Sequence, residues 1–217
     1  MPNTLTNEIL FTMNHTLDQS EPHFILASQS PYRKLLLKKL IANFDCHSPN
    51  IDETRQPGES VADLVARLSQ QKAQAIATHF PNSWIIASDQ SAALGTDILG
   101  KPHEHGQALE QLKKQQGQTL IYHTGVCLYN PEQQTYHYAH EPTEVIFRSL
   151  PTETLNNYLL QEQPYDCAGS FKSEGLGIML FSAIHSQDPN ALIGLPLIKL
   201  CDLLNSAGLQ LPLNGRA

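Results

Sequence analysis

Apolar and polar residues alternate along this chain in blocks that predict a series of strands and helices. The apolar run Phe24–Ala27 stops at two serines, and a leucine-rich segment, Lys34–Ile41, follows. This pattern predicts a strand, a short turn and a helix. Ser30 is a good N-cap, and Pro31 suits the first helical position because its missing N–H would have no partner there.

A long helix and a buried strand are predicted next. Ser60 caps a helix in which apolar residues recur at helical spacing as far as Ile76. The apolar run Trp84–Ser88 is typical of a buried strand that ends at Asp89. A further helix is predicted from His105 to Gln116.

The second half of the chain begins with a predicted β-hairpin. Thr119–Tyr129 and Thr135–Phe147 are rich in β-branched and aromatic residues, and Asn130-Pro131 marks the turn between them. The remaining predicted elements are a helix (Glu153–Gln161), a glycine-rich loop (Asp166–Gly177), a strand (Ile178–Ile184) and a last helix that opens at Gly194-Leu195-Pro196 and ends at Gly208. With no internal repeat, this order predicts one α/β domain with a mixed sheet, over residues 23–217. Residues 1–22 are expected to form a flexible N-terminal extension.

Composition narrows the function. The chain has 217 residues, a formal charge of −7 and only 14 Lys and Arg residues, which argues against a nucleic-acid or membrane-surface binder. An anion site must then concentrate its cations in one cleft. The four cysteines are far apart and form neither a zinc nor a disulfide pattern, which suits a reducing cytoplasm. No apolar run approaches the roughly 20 residues of a membrane span.

The turn after the first strand has the parts of a phosphate site. The Ser28 and Ser30 hydroxyls, the Arg33 guanidinium and the free N–H groups of the helix start converge there. Taken alone, the segment is better explained as an ordinary capped turn between a strand and a helix.

Four further charged residues are candidates, each with a simpler alternative. Asp89 follows an apolar strand, where α/β sheets place ligands, but it also suits an Asx turn. Lys72 lies on the apolar stripe of its helix, so it must either extend its ammonium to solvent or meet an anion. Lys101 is held in a Gly-Lys-Pro turn, although alone it is a surface lysine. Glu53 lies beside another acid, so it is either a ligand for a hard cation or a solvated loop residue.

Taken in order, these segments resemble the Maf family of nucleotide pyrophosphatases. The resemblance runs from about residue 24 to residue 208, and its motifs are specific as an ordered set. They are Leu26-Ala27-Ser28-x-Ser30-Pro31-x-Arg33, Asp52-Glu53-Thr54, Lys72-Ala73, Ser88-Asp89, Leu99-Gly100-Lys101-Pro102, Thr124-Gly125, Val145-x-Phe147-Arg148, Ala168-Gly169 and Gly194-Leu195-Pro196-Leu197. The resemblance implies a Maf/ITPase-like domain with a strongly twisted mixed sheet flanked by helices, in two lobes around a cleft.

Within that family the chain is most similar to the 7-methyl-GTP pyrophosphatases. Members resembling the dTTP/UTP enzymes mostly carry arginine, threonine and lysine where this chain has Tyr32, Gln90 and Cys167. The segments Cys167–Gly175 and Asp188-Pro189-Asn190 also match the 7-methyl-GTP group. One position departs from it, because that group often has tryptophan at Tyr32.

The resemblance implies hydrolysis of a nucleoside triphosphate to the monophosphate and pyrophosphate, with Asp89 as general base and a divalent metal, Mg²⁺ or Mn²⁺, held by Glu53 and Asp89. The implied substrate-binding residues are Ser28, Ser30, Tyr32, Arg33, Lys72, Gln90, Lys101 and Glu174. Tyr32 and Glu174 could read 7-methylguanine, because an aromatic face and a carboxylate both attract a cationic base.

Two other functions fit the same residues. One is pyrophosphatase activity on dTTP, UTP or another modified nucleotide; the other is a non-catalytic, nucleotide-binding regulator of cell division. A carboxylate at Asp89 favours catalysis, because a pure phosphate binder gains nothing from a repelling charge. We expect a cytoplasmic enzyme with a small-molecule nucleotide substrate and no nucleic-acid or membrane partner; the sequence leaves open whether it forms a homodimer.

Overall fold

The structure is a computed structural model that describes residues 22–213. The extension predicted over residues 1–22 lies, except for its last residue, outside the described part. The strands are β1 (Phe24–Leu26), β2 (Asp45–Cys46), β3 (Trp84–Leu94), β4 (Asp97–Leu99), β5 (Thr119–Asn130), β6 (Thr135–Phe147) and β7 (Phe181–His185). The helices are α1 (Pro31–Leu37), α2 (Val61–Ala77), α3 (His105–Gln115), α4 (Thr152–Glu162) and α5 (Leu197–Ser206).

All seven strands form one mixed sheet, which confirms the predicted fold class. Its order is β2-β1-β3-β5-β6-β7, with β4 paired to β3 outside this path. β1 runs parallel to both β2 and β3, whereas β3, β5, β6 and β7 pair antiparallel. The long β5–β6 pair is the predicted hairpin.

The core follows from the alternation of side chains along the strands. Ile25, Ala87 and Cys127 belong to the cluster that includes α2 residues. The neighbouring residues Leu26 and Ile86 point to the opposite face, where α1 and α5 cover the sheet. A third cluster lies around the aromatic side chains of β5, β6 and the segment before β7, and it also contains α3 and α4 residues. Helices therefore flank the sheet as predicted.

Both predicted N-caps are present. The Ser30 hydroxyl accepts a hydrogen bond from Arg33 N (3.4 Å), and the Ser60 hydroxyl accepts one from Asp63 N (3.1 Å). In the described residues no helix combines the length and apolar character needed to cross a membrane.

Three predicted boundaries were wrong. β3 does not end before Asp89 but continues to Leu94, because β5 pairs with it along this whole stretch. The strand predicted from Ile178 begins only at Phe181, since Leu176–Leu180 forms a 3₁₀ turn. α1 ends at Leu37, short of the predicted end at Ile41.

Candidate active site

A buried ion pair joins α2 to β3 at the centre of the site. Lys72 Nζ lies 2.6 Å from Asp89 Oδ1 and 2.8 Å from Glu53 Oε1. Lys72 is 7% exposed and Asp89 is 5% exposed, whereas Glu53 comes from an exposed loop. The lysine therefore does not extend to solvent, which excludes the simpler of the two sequence interpretations.

The environment of Asp89 opposes its ionisation. Burial raises the pKa of Asp89 above its ordinary value, although Lys72 and Arg33 act against this rise. Such a carboxylate is a stronger proton acceptor than an exposed one, and its charge is retained by the lysine beside it. The backbone is fixed as well, because Asp89 N donates to Ser69 Oγ at 3.0 Å.

Gly125 allows α2 to approach the sheet this closely. It lies opposite Asp89 on β5. A Cβ at Gly125 would lie 2.8 Å from Val65 Cγ1 and 2.9 Å from Ser69 Oγ, both on α2, and 2.8 Å from the Tyr138 hydroxyl. Any larger residue would push the helix away from Asp89. The Thr-Gly motif therefore has a steric role in assembling the ion pair.

The Ser28–Arg33 turn forms one wall of the site. Ser28 Oγ accepts from Ser30 N at 3.1 Å, and Arg33 Nε donates to the Gly194 carbonyl at 2.9 Å. The same carbonyl accepts from Ser88 Oγ at 2.8 Å. Burial lowers the pKa of Arg33, with Asp89 and Glu53 opposing that effect. The turn is thus anchored to the segment before α5, with the guanidinium electrostatically coupled to both acids.

Gln90 follows Asp89 along β3, and its amide points to the other face of the sheet. Gln90 Nε2 donates to Thr124 Oγ1 (3.0 Å), Ala191 O (2.9 Å) and Leu192 O (3.1 Å). The side-chain amide therefore ties the sheet to the segment before α5, a structural task that the sequence did not reveal.

The loop that carries Glu53 is attached to α2. Arg67 Nε donates to Glu59 Oε1 at 2.6 Å, and Arg67 Nη2 donates to the Thr54 carbonyl at 3.0 Å. The hydrogen bond with Arg67 lowers the pKa of Glu59 to about 2. These contacts hold Glu53 at the mouth of the site.

All ten predicted site residues line one cleft of about 440 Å³. They are Ser28, Ser30, Tyr32, Arg33, Glu53, Lys72, Asp89, Gln90, Lys101 and Glu174. The structure thus brings together residues from six separate segments of the sequence. Their individual roles remain predictions.

Sequence reasoning missed two charged residues of this cleft, Lys172 and Asp166. Burial opposes the charge of Lys172, but electrostatic interactions with Tyr32, Cys167 and Asp166 outweigh burial and raise the pKa of Lys172. A cation therefore lies beside Tyr32, one of the two residues predicted to bind a cationic base. Lys172 lies two residues before Glu174, which was already a candidate, and this proximity was the one signal in the sequence that could have pointed to Lys172.

The carboxylates suit a metal that shares its coordination with a substrate. Mg²⁺ and Mn²⁺ prefer oxygen ligands, and Mg²⁺ in nucleotide sites is usually held by one or two carboxylates plus substrate phosphates. Glu53 and Asp89 supply two such carboxylates to the cleft, both drawn to Lys72. Within residues 22–213, no group of three or more His, Cys, Asp or Glu residues is placed to hold a metal ion.

Comparison with known proteins decides the family. The profile of the Maf-like protein family matches residues 23–207. The chain belongs to the Maf family. This Maf protein also resembles curated relatives over most of its length.

Three of these relatives are named 7-methyl-GTP pyrophosphatase. The protein from Hydrogenovibrio crunogenus is 51% identical over 191 residues, covering 88% of this chain and 96% of the relative. Those from Nitrosococcus oceani and Colwellia psychrerythraea are each 50% identical, covering 86% of this chain and 94% and 93% of the relatives. Among solved structures, the Staphylococcus aureus Ham1 protein aligns with a TM-score of 0.43 and 13% identity, over 58% of this chain and 71% of that chain.

Proposed function

We propose that this Maf protein hydrolyses 7-methyl-GTP to 7-methyl-GMP and pyrophosphate. The observation that carries this proposal is the buried Lys72–Asp89 pair, which lies in one cleft with the Ser28–Arg33 turn. A proton acceptor and a group of cations in one cleft suit phosphoanhydride hydrolysis. The names of the relatives support the choice of substrate.

Asp89 acts as the general base. It takes a proton from the water whose oxygen attacks the α-phosphorus, and the bond from that phosphorus to the bridging oxygen breaks. Pyrophosphate leaves with the electron pair. The raised pKa of Asp89 improves it as a proton acceptor, and the neighbouring Lys72 favours its ionised form.

The cations of the cleft hold the triphosphate. Arg33 and Lys72 lie in the cleft with Lys101, which is exposed on the turn after β4. When phosphate oxygens enter, Lys72 can share its three donors between them and its carboxylate partners. These charges stabilise the negative charge that develops on pyrophosphate in the transition state.

A divalent cation is part of the proposal. Glu53 and Asp89 are the residues that would hold it, together with phosphate oxygens of the substrate. When bound, Mg²⁺ or Mn²⁺ neutralises phosphate charge and lowers the pKa of a bound water.

Tyr32 and Glu174 read the base. Methylation at N7 gives guanine a positive charge, which an aromatic ring face and a carboxylate both attract. Both residues line the cleft, as do Lys172 and Asp166, and Tyr32 interacts electrostatically with the other three. Asp166 offsets part of the Lys172 charge, which would otherwise repel a cationic base.

Product analysis tests the proposal. Incubation with 7-methyl-GTP and Mg²⁺ should release one pyrophosphate per 7-methyl-GMP, with no orthophosphate. Release of orthophosphate with 7-methyl-GDP would contradict cleavage between the α- and β-phosphates. Tight binding without turnover would instead support the binding-only alternative.

A further inference from the structure

The loop that carries Glu174 is attached to the C-terminal end of α4 at two points. Lys172 N donates to the Tyr158 hydroxyl at 3.2 Å. Leu176 N donates to Glu162 Oε2 at 2.8 Å, and Lys172 Nζ donates to the Glu162 carbonyl at 3.4 Å. Glu174 therefore sits between two backbone segments that are both fixed to one helix.

Gly175 shows how closely the loop fits its support. A Cβ at this position would lie 2.7 to 2.9 Å from the carboxylate atoms of Glu162. The loop backbone thus packs directly against that carboxylate, and a side chain at this position would require the Glu162 carboxylate to move. The side chain that holds this part of the loop by a hydrogen bond is that of Glu162, whereas the side chain of Glu174 is exposed.

Glu162 does not serve its own helix. It is the last residue of α4, where the negative end of the helix dipole disfavours a carboxylate. Glu162 is not among the residues that line the nucleotide cleft. Its carboxylate accepts a hydrogen bond from a backbone N–H of the neighbouring loop. Because the helix dipole disfavours a carboxylate at this position, the contribution of Glu162 is expected to lie in its contact with the loop.

We propose that Glu162 is a positioning residue for base selection, which acts through Glu174. By accepting a hydrogen bond from Leu176 N, Glu162 fixes the position of the loop relative to the cleft. The Glu174 carboxylate is then already in place when the cationic base binds. Tyr158 fixes the other end of the same loop. This inference deepens the proposed function and rests on it, because it assumes that the cleft distinguishes 7-methyl-GTP from GTP.

The test compares kcat/KM for 7-methyl-GTP and GTP in wild type and variants. Glu162→Ala should lower the preference for 7-methyl-GTP towards equality with GTP, a loss no larger than the about 2- to 30-fold preference expected of wild type, while kcat/KM for GTP stays within about twofold. Glu162→Gln retains an acceptor oxygen for Leu176 N and should restore most of the preference. Glu153→Ala, which removes an exposed acid from the first turn of the same helix, is the matched control and should leave the ratio unchanged.

A double variant separates positioning from general stability. If Glu162 acts through Glu174, adding Glu162→Ala to Glu174→Gln should not lower the preference further. An equal loss for both substrates, or a full additional loss in the Glu174→Gln background, would overturn the inference. Tyr158→Phe removes only a hydroxyl and covers the case in which Glu162→Ala does not fold. Because Tyr158 holds the other end of the same loop, this variant should also lower the preference for 7-methyl-GTP, and an unchanged ratio in it would overturn the inference that attachment of the loop to α4 sets base selection.

The outcome for wild type keeps the two proposals apart. A wild-type enzyme that does not prefer 7-methyl-GTP contradicts the proposed function itself. A wild-type enzyme that does prefer it, with the same ratio in folded Glu162→Ala, contradicts only the positioning role of Glu162.

Discussion

Lys72 Nζ lies 2.6 Å from Asp89 Oδ1, and both side chains are more than nine-tenths buried. The pair links the middle of a helix to the middle of a strand, 17 residues apart in the chain. Taking two charges out of water costs free energy that their mutual attraction often does not fully offset, so the pair is not expected here for stability alone. In this pair Lys72 favours the ionised form of a buried carboxylate, and that is the form in which a carboxylate can act as a general base.

Asp89→Asn should abolish most turnover. The amide keeps the shape of the side chain but cannot accept the proton, and such groups typically contribute about 10²- to 10⁴-fold to rate. Measured kcat should fall by that amount, while 7-methyl-GTP still binds in equilibrium titration. Near wild-type pyrophosphate release would remove Asp89 from the mechanism.

The pH profile should report the same carboxylate. Because burial raises the pKa of Asp89, the acid limb of kcat/KM should lie above the ordinary carboxyl value of 3.8. Activity falls as pH drops through that limb, since the protonated acid is no longer a base. An acid limb at or below the ordinary value would contradict the buried environment of Asp89.

Lys72→Met should change both activity and stability. It keeps an apolar stem but leaves Asp89 buried without its ammonium, and removing one partner of a buried pair typically costs about 3–5 kcal/mol. Because Lys72 holds the Asp89 pKa down, that pKa should rise further in the variant. The stability deficit is then fully present above the new pKa and shrinks as pH falls and Asp89 is protonated. Thermal unfolding at several pH values checks this sign; a deficit that grows on acidification would contradict it.

Gly125→Ala tests the close approach of α2. The new methyl group would contact Val65, Ser69 and Tyr138, and overpacking of this kind typically costs about 1–3 kcal/mol. Displacement of α2 should also lower kcat, because Ser69 and Lys72 both hold Asp89. Gly106→Ala is the control: its Cβ would meet nothing within 4 Å. Equal melting temperatures and activities for the two variants would rule out the steric role of Gly125.

Local pattern predicted most of the fold. The apolar stripe of α2 and the β-branched segments of the hairpin were sufficient to place both elements. The end of β3 was not predictable, because Asp89-Gln90-Ser91 is polar and interrupts the apolar run. These residues remain in the strand because β5 pairs with them and because Ser69, Lys72 and Thr124 satisfy their polar groups. Such contacts join distant parts of the chain and leave no local signal.

The candidate site was predictable only as a set. The main candidates each had an alternative explanation as a structural or solvent-exposed residue. The family resemblance was what indicated that they belong to one site. The contact between Lys172 and Tyr32 was not foreseen, since the two residues lie far apart in the sequence and meet only when the loop before β7 folds against α4.

Base selection should weaken when either reading residue is changed. Tyr32→Ala removes a cation–π contact of roughly 0.5–2 kcal/mol, which is about 2- to 30-fold in discrimination between 7-methyl-GTP and GTP. Glu174→Gln keeps a hydrogen-bonding group but loses the negative charge, so it should act in the same direction. Tyr32→Phe keeps the ring face and serves as the control, with the preference retained. Equal loss of both substrates in Tyr32→Ala and Glu174→Gln would contradict the assignment.

The most direct test is the wild-type specificity itself. Steady-state kcat/KM is measured for 7-methyl-GTP, GTP, dTTP and UTP under identical conditions with Mg²⁺, by release of pyrophosphate. The structure and the family together predict the highest value for 7-methyl-GTP, with GTP lower by about 2- to 30-fold, the range expected for a cation–π contact. A preference for dTTP or UTP would contradict the reading of a charged base and leave only a Maf pyrophosphatase of different specificity.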